Sequence, residues 1–473
     1  MPHQCAVELQ PPTTRVQVQS FRVSESARVD ESLTELRRSL NGDVVGPEDA
    51  GYDAARRCFN ALVDRRPAVI ARCVGAGDVA AALDFARAHE LQVAVRGGGH
   101  NPAGHCVCDD GLVIDLSLMR TVDVDVDTRI ARADGGATWL DFDPSTQAFG
   151  LVTPGGVVGS TGVCGLTLGG GIGHLTAQYG LTCDNLVGAE VVTPDGTVVR
   201  ASPDENADLL WALRGGGGNF GVATRLEFRL HPLDRVVGGV LTYAGSGIGE
   251  ALRRFRDIVV RSPRDLSCQA AFSVDASLTP VLMVVPCHTG SDVDLDELRS
   301  APGLVGDDVR EQTFLDQQRV IDSAYGENRH YWKGHFVREL PDELLDALLS
   351  QLAVLGRPPG GILIESLHGA PKDVDAATGA LGFRNAAFNV SVMATWQDAG
   401  LDEQYIEWAR DTAAAIESWS FSGGGYVNYM QADEPIERVR AAFGDEAFTR
   451  LQALKTRYDP SNILRRNQNI PPL

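Results

Sequence analysis

Two glycine runs constrain this chain more than any other feature, because each sets a nucleophilic side chain in backbone largely stripped of Cβ atoms. The first is Val95-Arg96-Gly97-Gly98-Gly99-His100-Asn101; the second extends from Thr161 through Gly162, Cys164, Gly165 and Thr167 to Gly169-Gly170-Gly171 and Gly173. Such backbone can approach phosphates or a flat ring closely and aim its N–H groups at anionic oxygens. An imidazole and a thiol in these loops are well suited to bond an electron-poor ring. Of the 51 glycines, the excess sits in such discrete runs, which points to backbone contact with a ligand more than to flexibility.

A chain of 473 residues is long for one core and implies two domains or one composite unit. Its net charge of −21 disfavours nucleic acid and anionic membranes as partners. No stretch approaches the roughly 18 uninterrupted apolar residues of a membrane span, and the first 30 residues lack an apolar leader. The nine cysteines are odd in number and scattered, which fits reduced thiols in a cytoplasm. Cys106 and Cys108 flank no second ligand pair that would complete a tetrahedral site with His105, so no metal is expected.

Residues 1–40 read as an irregular lead-in. Helical spacing over 78–88 has Asp78 as a candidate N-cap, and Leu91–Val95 turns to strand character just before the first glycine run. Short strands are expected at Leu112–Leu116 and Val122–Val126, the latter with its aspartates on a solvated face. Gly188–Val192, the turn Thr193-Pro194-Asp195-Gly196 and the strand after it read as a hairpin. Farther on, 280–285 reads as strand, and 341–355 and 402–418 as helices. Tyr426-Val427-Asn428-Tyr429 reads as a strand, with 426 and 428 on one face and 427 and 429 on the other.

The spacing Gly216-x-Gly218-x-x-Gly221 matches a dinucleotide-binding fingerprint, but its context does not. It follows a helical segment, Leu209–Leu213, and leads into the strand-like Val222–Phe228, where that motif demands a strand before and a helix after.

The motifs that remain come in one order: Arg66–Cys73, Val95–Asn101, Gly162–Gly173, Tyr179–Asn185, Trp211–Gly221, Tyr426–Tyr429, Tyr458–Asn462 and Asn467–Ile470. In this order the chain from about Tyr52 onward resembles the berberine-bridge-enzyme-like flavoproteins of the p-cresol methylhydroxylase/vanillyl-alcohol oxidase superfamily. The resemblance implies an α+β fold. A two-subdomain FAD-binding domain would occupy 41–235 and be completed by 426–473, and 236–425 would form a substrate domain of antiparallel sheet backed by helices.

It also implies FAD as cofactor, bonded through His100 at the flavin 8α-methyl and, as in a subset of the family, through Cys164 at C6. The alternative for Cys164 is a small, inert buried hydrophobe. Gly97, Gly98, Gly99, Asn101, Gly104, Thr161, Gly162, Gly165, Thr167 and Gly173 would present backbone or small side chains to the cofactor, with Arg96 neutralising its charge. Asp184, Asn185, Gly221 and Val222 fall at its adenosine end, or serve as turn residues. Asn428 would touch the flavin. Tyr426 or Tyr429, its phenol acidified by nearby positive charge, would take the hydroxyl proton of an alcohol while hydride passes to flavin, with Glu365 as a further catalytic candidate. Tyr331–Phe336 is either pocket wall or core strand.

The expected activity is oxidation of a small-molecule alcohol, a sugar or secondary-metabolite hydroxyl, with O2 reduced to hydrogen peroxide. A dehydrogenase with another electron acceptor, or a flavoprotein that sequesters a toxic metabolite, is the alternative.

Overall fold

The computed structural model describes residues 33–274, 279–290, 295–322, 326, 328–351 and 360–473. Most of the irregular lead-in lies outside these residues; of its remainder, 33–39 are helical.

Three large sheets, beside a two-stranded pairing of Leu151–Val152 with His231–Pro232, organise the described residues. The first has four strands in the order Asp43–Val45, Val69–Arg72, Leu112–Asp115, Val93–Arg96. The last three of these are parallel, with Val93–Arg96 and Val69–Arg72 flanking Leu112–Asp115 in register. The crossover is the helix Ala76–Ala88, whose Val79, Ala82, Leu83 and Ala86 are buried on the sheet side. Asp78 is not its N-cap. Gly75 takes that place, and the buried Asp78 carboxylate collects the backbone N–H groups of Asn41 (2.8 Å), Gly42 (3.0 Å) and Val74 (3.0 Å). The first glycine run leaves the carboxyl end of Val93–Arg96, the end at which parallel α/β sheets bind ligands.

The second sheet is antiparallel, in the order Val122–Asp125, Ile130–Asp134, Val222–Arg229, Leu186–Val192, Val198–Ala201. Its last two strands form the expected hairpin, closed by Thr193 N to Thr197 O at 2.9 Å, with Gly196 at φ +86°. The third glycine run lies between the helix Ala207–Leu213 and the strand Val222–Arg229, so the dinucleotide fingerprint fails on structural context as it did on sequence. Trp139, Phe142, Phe220 and Phe228 centre the core of this region. The C-terminal helix Asp445–Tyr458 adds Phe448, Leu451 and Leu454 to the same core.

The third sheet has nine antiparallel strands between Arg235 and Trp396. Four of its strands, Leu266–Val274, Gly361–Ser366, Phe388–Trp396 and Arg329–Val337, are adjacent in that order. Strand alternation sends successive side chains to opposite faces. Cys268, Ala270, Phe272, Ile362, Ile364 and Val390 pack with the helices Ile248–Arg261 and Asp342–Gln351, and Val392 and Ala394 with Asp402–Ala415. The intervening residues, Gln269, Ala271, Leu363, Glu365, Asn389 and Met393 among them, face the other way. An α+β fold with a helix-backed antiparallel sheet is therefore what the chain forms. Residues 352–355 of the expected helix fall outside the described residues.

One expected element is absent. Tyr426–Tyr429 is a turn, with the Tyr429 and Met430 N–H groups both donating to Tyr426 O at 2.8 and 3.1 Å. The turn brings residues i and i+3 together: the rings of Tyr426 and Tyr429 meet edge to face at 4.8 Å, an approach that strand alternation would forbid.

Candidate active site

The two glycine runs meet backbone to backbone. A Cβ on Gly98 would lie 2.4 Å from Gly162 N, and one on Gly162 would lie 2.5 Å from Gly98 N, so both positions require glycine on contact distance alone. Around this contact lie two chambers that share Val95, Gly97, Asn101, Cys106, Gly165 and Asn428, and so form one cleft. The first extends past Gly216–Asn219, Gly221 and Val222 to Arg466–Gln468. The second is bounded by Gly97–His100, Thr161, Gly162, Trp332, Met393 and Tyr429. Thus the third sheet supplies one wall of the second chamber and the glycine loops the other.

His100 sits with Nε2 2.8 Å from Ser160 Oγ and Nδ1 3.4 Å from Thr161 Oγ1. Its ring stacks on Phe59 at 4.1 Å, and Phe59 stacks in turn on His330 of the third sheet at 4.3 Å. Burial, with a smaller contribution from His330, pushes its pKa down to about 4, so the imidazole is neutral and keeps a lone pair for bonding. Cys164 belongs instead to the first chamber and to the core around Trp139. Burial, and secondarily Asp134, pushes its thiol up to about 12, far from the thiolate that would act as nucleophile.

Tyr426 and Tyr429 have distinct surroundings. Tyr426 is 2% exposed, and its Oη accepts from Gly171 N at 2.8 Å and Asn428 Nδ2 at 2.9 Å. Burial foremost, and the nearby Glu365, raise its pKa; the acidified phenol expected from the sequence does not exist there. Tyr429 lines the second chamber and its hydroxyl donates to Glu365 Oε1 at 3.3 Å. Glu365 is fully buried, and its other oxygen accepts from Asn389 Nδ2 at 2.7 Å across the strand pair. Burial pushes its pKa up to about 7, with the two hydrogen bonds opposing the rise. A carboxylate poised near neutrality behind a cavity-facing phenol can receive a proton through it. Asn428 bridges Leu166 O, at 3.0 Å, and Tyr426 at the junction of the chambers.

Several expected ligand contacts fall elsewhere. Asp184 forms a buried ion pair with Arg384 at 2.5 Å and accepts from Leu181 N. Asn185 holds Tyr179 O and Leu181 O and meets His231 Nε2 at 2.7 Å. Both are engaged by protein partners, and neither lines either chamber. Thr167 spends its hydroxyl on Val163 O. Gly104 packs on Val63, and Gly173 on the Gly155 carbonyl, and neither lines either chamber. Arg96, 8% exposed, donates to Ala55 O and lines a third cleft that shares only Gly97–His100 with the second chamber.

Asn219, Arg466, Gln468, Phe59, His330 and Met393 join the site without being singled out by the sequence. The Asn467–Ile470 motif was the available signal for part of this set. Asn219 lay within the Trp211–Gly221 motif; Phe59, His330 and Met393 have no local signature, because distant elements bring them together.

The cleft suits an elongated polar ligand with a flat end. Beyond the glycine contact, the Arg466 Nε, Asn467 Oδ1 and His105 Nδ1 atoms lining the first chamber are buried without partners, and a ligand that reached them would satisfy them. Comparison with known proteins agrees. Residues 67–202 match the FAD binding domain family and 425–471 the berberine and berberine-like family. The chain is 32% identical over 450 residues to (R)-6-hydroxynicotine oxidase of Paenarthrobacter nicotinovorans, covering 92% of this chain and 97% of that one. It is 30% identical to an FAD-linked oxidoreductase of Dictyostelium discoideum, over 93% and 97% of the two chains. Among solved structures, 6-hydroxy-D-nicotine oxidase from Arthrobacter nicotinovorans superposes with a TM-score of 0.83 at 31% identity, covering 92% and 99%. Glucooligosaccharide oxidase from Acremonium strictum, described with a 6-S-cysteinyl, 8α-N1-histidyl FAD, shares the fold with a TM-score of 0.83 at 24% identity, over 94% and 99%.

Fold and cleft together define an FAD-linked oxidoreductase. Within that class the chain belongs to the berberine-bridge-enzyme-like family of the p-cresol methylhydroxylase/vanillyl-alcohol oxidase superfamily.

Proposed function

We propose that the protein is an alcohol oxidase in which Tyr429 and Glu365 remove the hydroxyl proton of a small-molecule substrate. The observation that carries this reading is the Tyr429 hydroxyl, in the chamber that His100 also lines, at 3.3 Å from a buried Glu365 whose pKa is pushed up to about 7. Residues 41–235 and 426–473 hold FAD, and 236–425 present the substrate. The Gly97–Gly99 and Gly162 backbone, with Arg466 and Asn467 in the first chamber, lie where they can bind it, and neutral His100 is its covalent anchor. Bound FAD would supply the two-electron chemistry of alcohol oxidation, with O2 as final acceptor and hydrogen peroxide as product.

The rest is work for the chain itself. Trp332 stands edge to face with Tyr429 at 5.4 Å and fixes the phenol's direction. Tyr429 takes the hydroxyl proton as its own passes to Glu365, and Asn389 holds the carboxylate in place. The phenol is thus returned neutral in one concerted transfer, and no free tyrosinate is required. Cys164, a buried protonated thiol in the first chamber, is left as a packing residue in this proposal. The free state of all eight described cysteines supports action in a reducing cytoplasm. Among the described residues no helix is long and apolar enough to cross a membrane.

The test is anaerobic stopped-flow reduction of the holoenzyme by a panel of alcohols. Tyr429→Phe is expected to slow flavin reduction by about 10²–10⁴, the span for loss of a general base. An unchanged rate in Tyr429→Phe would sink the assignment.

A further inference from the structure

The site face of the third sheet carries a second hollow next to the active chamber. Across neighbouring strands, Met283 pairs with Ala271 and Ala271 with Leu363, while Gly361 pairs with Met393 and Met393 with Trp332. The small residues Ala271, Ser273 and Gly361 leave a depression walled by Met283, Val285, Ile321, Leu363 and Met393. Met393 lines both this hollow and the active chamber. Trp332, Leu363 and Met393 form one apolar cluster, with Ala271 and Tyr429 packed against it, so the apolar surface runs unbroken from the proposed base into the hollow.

Its polar groups are few and largely engaged. Ser273 Oγ donates to Gly360 O at 2.6 Å, and Thr395 Oγ1 lies 3.1 Å from His330 Nδ1. Gln269 supplies the remaining polar side chain. A polyol lodged there would leave hydroxyls unpaired, a penalty that apolar carbon avoids.

We infer that the hollow is the specificity pocket of the enzyme and takes the apolar body of an aryl or arylalkyl alcohol, not a sugar ring, while the hydroxyl end lies at Tyr429. This rests on the alcohol oxidase reading for the turnover it implies, but not for the binding. Physically, a ligand of this kind gains from each carbon removed from water, and the oxidisable carbon is positioned by the length of the arm.

Binding is read on the holoenzyme with N-phenyl-1-naphthylamine, an uncharged probe that fluoresces in apolar surroundings. Saturable binding at one site is expected, displaced by 5-phenylpentanol but not by xylobiose. It should be weakened at least about tenfold in Ala271→Trp, which fills the hollow, and retained in Met283→Ala, which widens it. Equal probe affinity in wild type and Ala271→Trp, or displacement by xylobiose at the concentration at which 5-phenylpentanol acts, overturns the inference. Turnover is read with the series from benzyl alcohol to 5-phenylpentanol. Here kcat/KM should climb about three- to fourfold per methylene until the hollow fills, and the climb should flatten in Ala271→Trp and reach farther in Met283→Ala. A flat wild-type series overturns the inference. Absence of any alcohol oxidation would instead remove the function proposed above and leave the probe displacement to decide the pocket.

Discussion

The proposed cofactor cleft and the proposed substrate face meet across one chamber, yet they are built from different parts of the chain's chemistry. The cleft is mostly backbone: Gly97–Gly99 against Gly162, and Gly216–Gly218 toward Arg466. The substrate face is mostly side chain, with Trp332, Leu363, Glu365, Asn389 and Met393 drawn from three strands. Recognition by backbone demands particular residues in contiguous runs, whereas recognition by side chains needs only the right parity on each strand. The first kind of site stays fixed within a family as the second changes, which suits one cofactor and many substrates.

This contrast can be broken at either region. The largest effect is expected at the loop contact. Gly98→Ala would put a methyl group 2.4 Å from backbone that cannot rotate away, and the purified variant should lack the flavin absorbance of the wild type. Normal flavin content there would show that the cleft is not set by the glycine contact.

Next is Asp184, which the sequence places at the adenosine end of the cofactor or in a turn, and which the fold pairs with Arg384. Asp184→Ala leaves Arg384 buried without its partner and should cost about 3–5 kcal/mol of stability in chemical denaturation, with flavin content per folded molecule unchanged. Loss of flavin without loss of stability would return Asp184 to the cofactor site.

A smaller, graded effect is expected from pH. The Glu365 pKa is raised to about 7, so the ionised form that accepts a proton is depleted as pH falls below that value. Flavin reduction should therefore drop roughly tenfold per pH unit below 7 and level off above it. Glu365→Gln should be slower and without this inflection; an inflection that survives the substitution belongs to another group.

The same contrast explains what was legible in the sequence. The glycine loops, the 193–197 turn and the strands at 112–115 and 122–125 are local features, and each stands where its residues imply. Glu365 and Tyr429 were individually visible as candidates, but their pairing spans 64 positions and follows from how the sheet is laid against the loop. Tyr426 and Tyr429 looked alike within one motif. Only the turn separates them, burying one phenol under Gly171 N and turning the other into the chamber. Asp184 and Asn185 fall in a family motif, and their tertiary partners Arg384 and His231 lie far off in sequence, where no local pattern announces them. The stretch Tyr331–Phe336, which the sequence leaves open between wall and core, is both: Trp332 lines the second chamber, while Phe336 and the adjoining Val337 are buried in core clusters.

The central claim is that the neutral imidazole of His100, held between Ser160, Thr161 and Phe59, is the sole covalent anchor of FAD. Intact-mass and peptide mass spectrometry on SDS-denatured wild type, His100→Ala and Cys164→Ala tests it directly. The account predicts one FAD on the wild-type chain, mapped to the His100 peptide, present in Cys164→Ala and lost from folded His100→Ala. FAD released in full from denatured wild type, or still covalently attached in His100→Ala through Cys164, would contradict it.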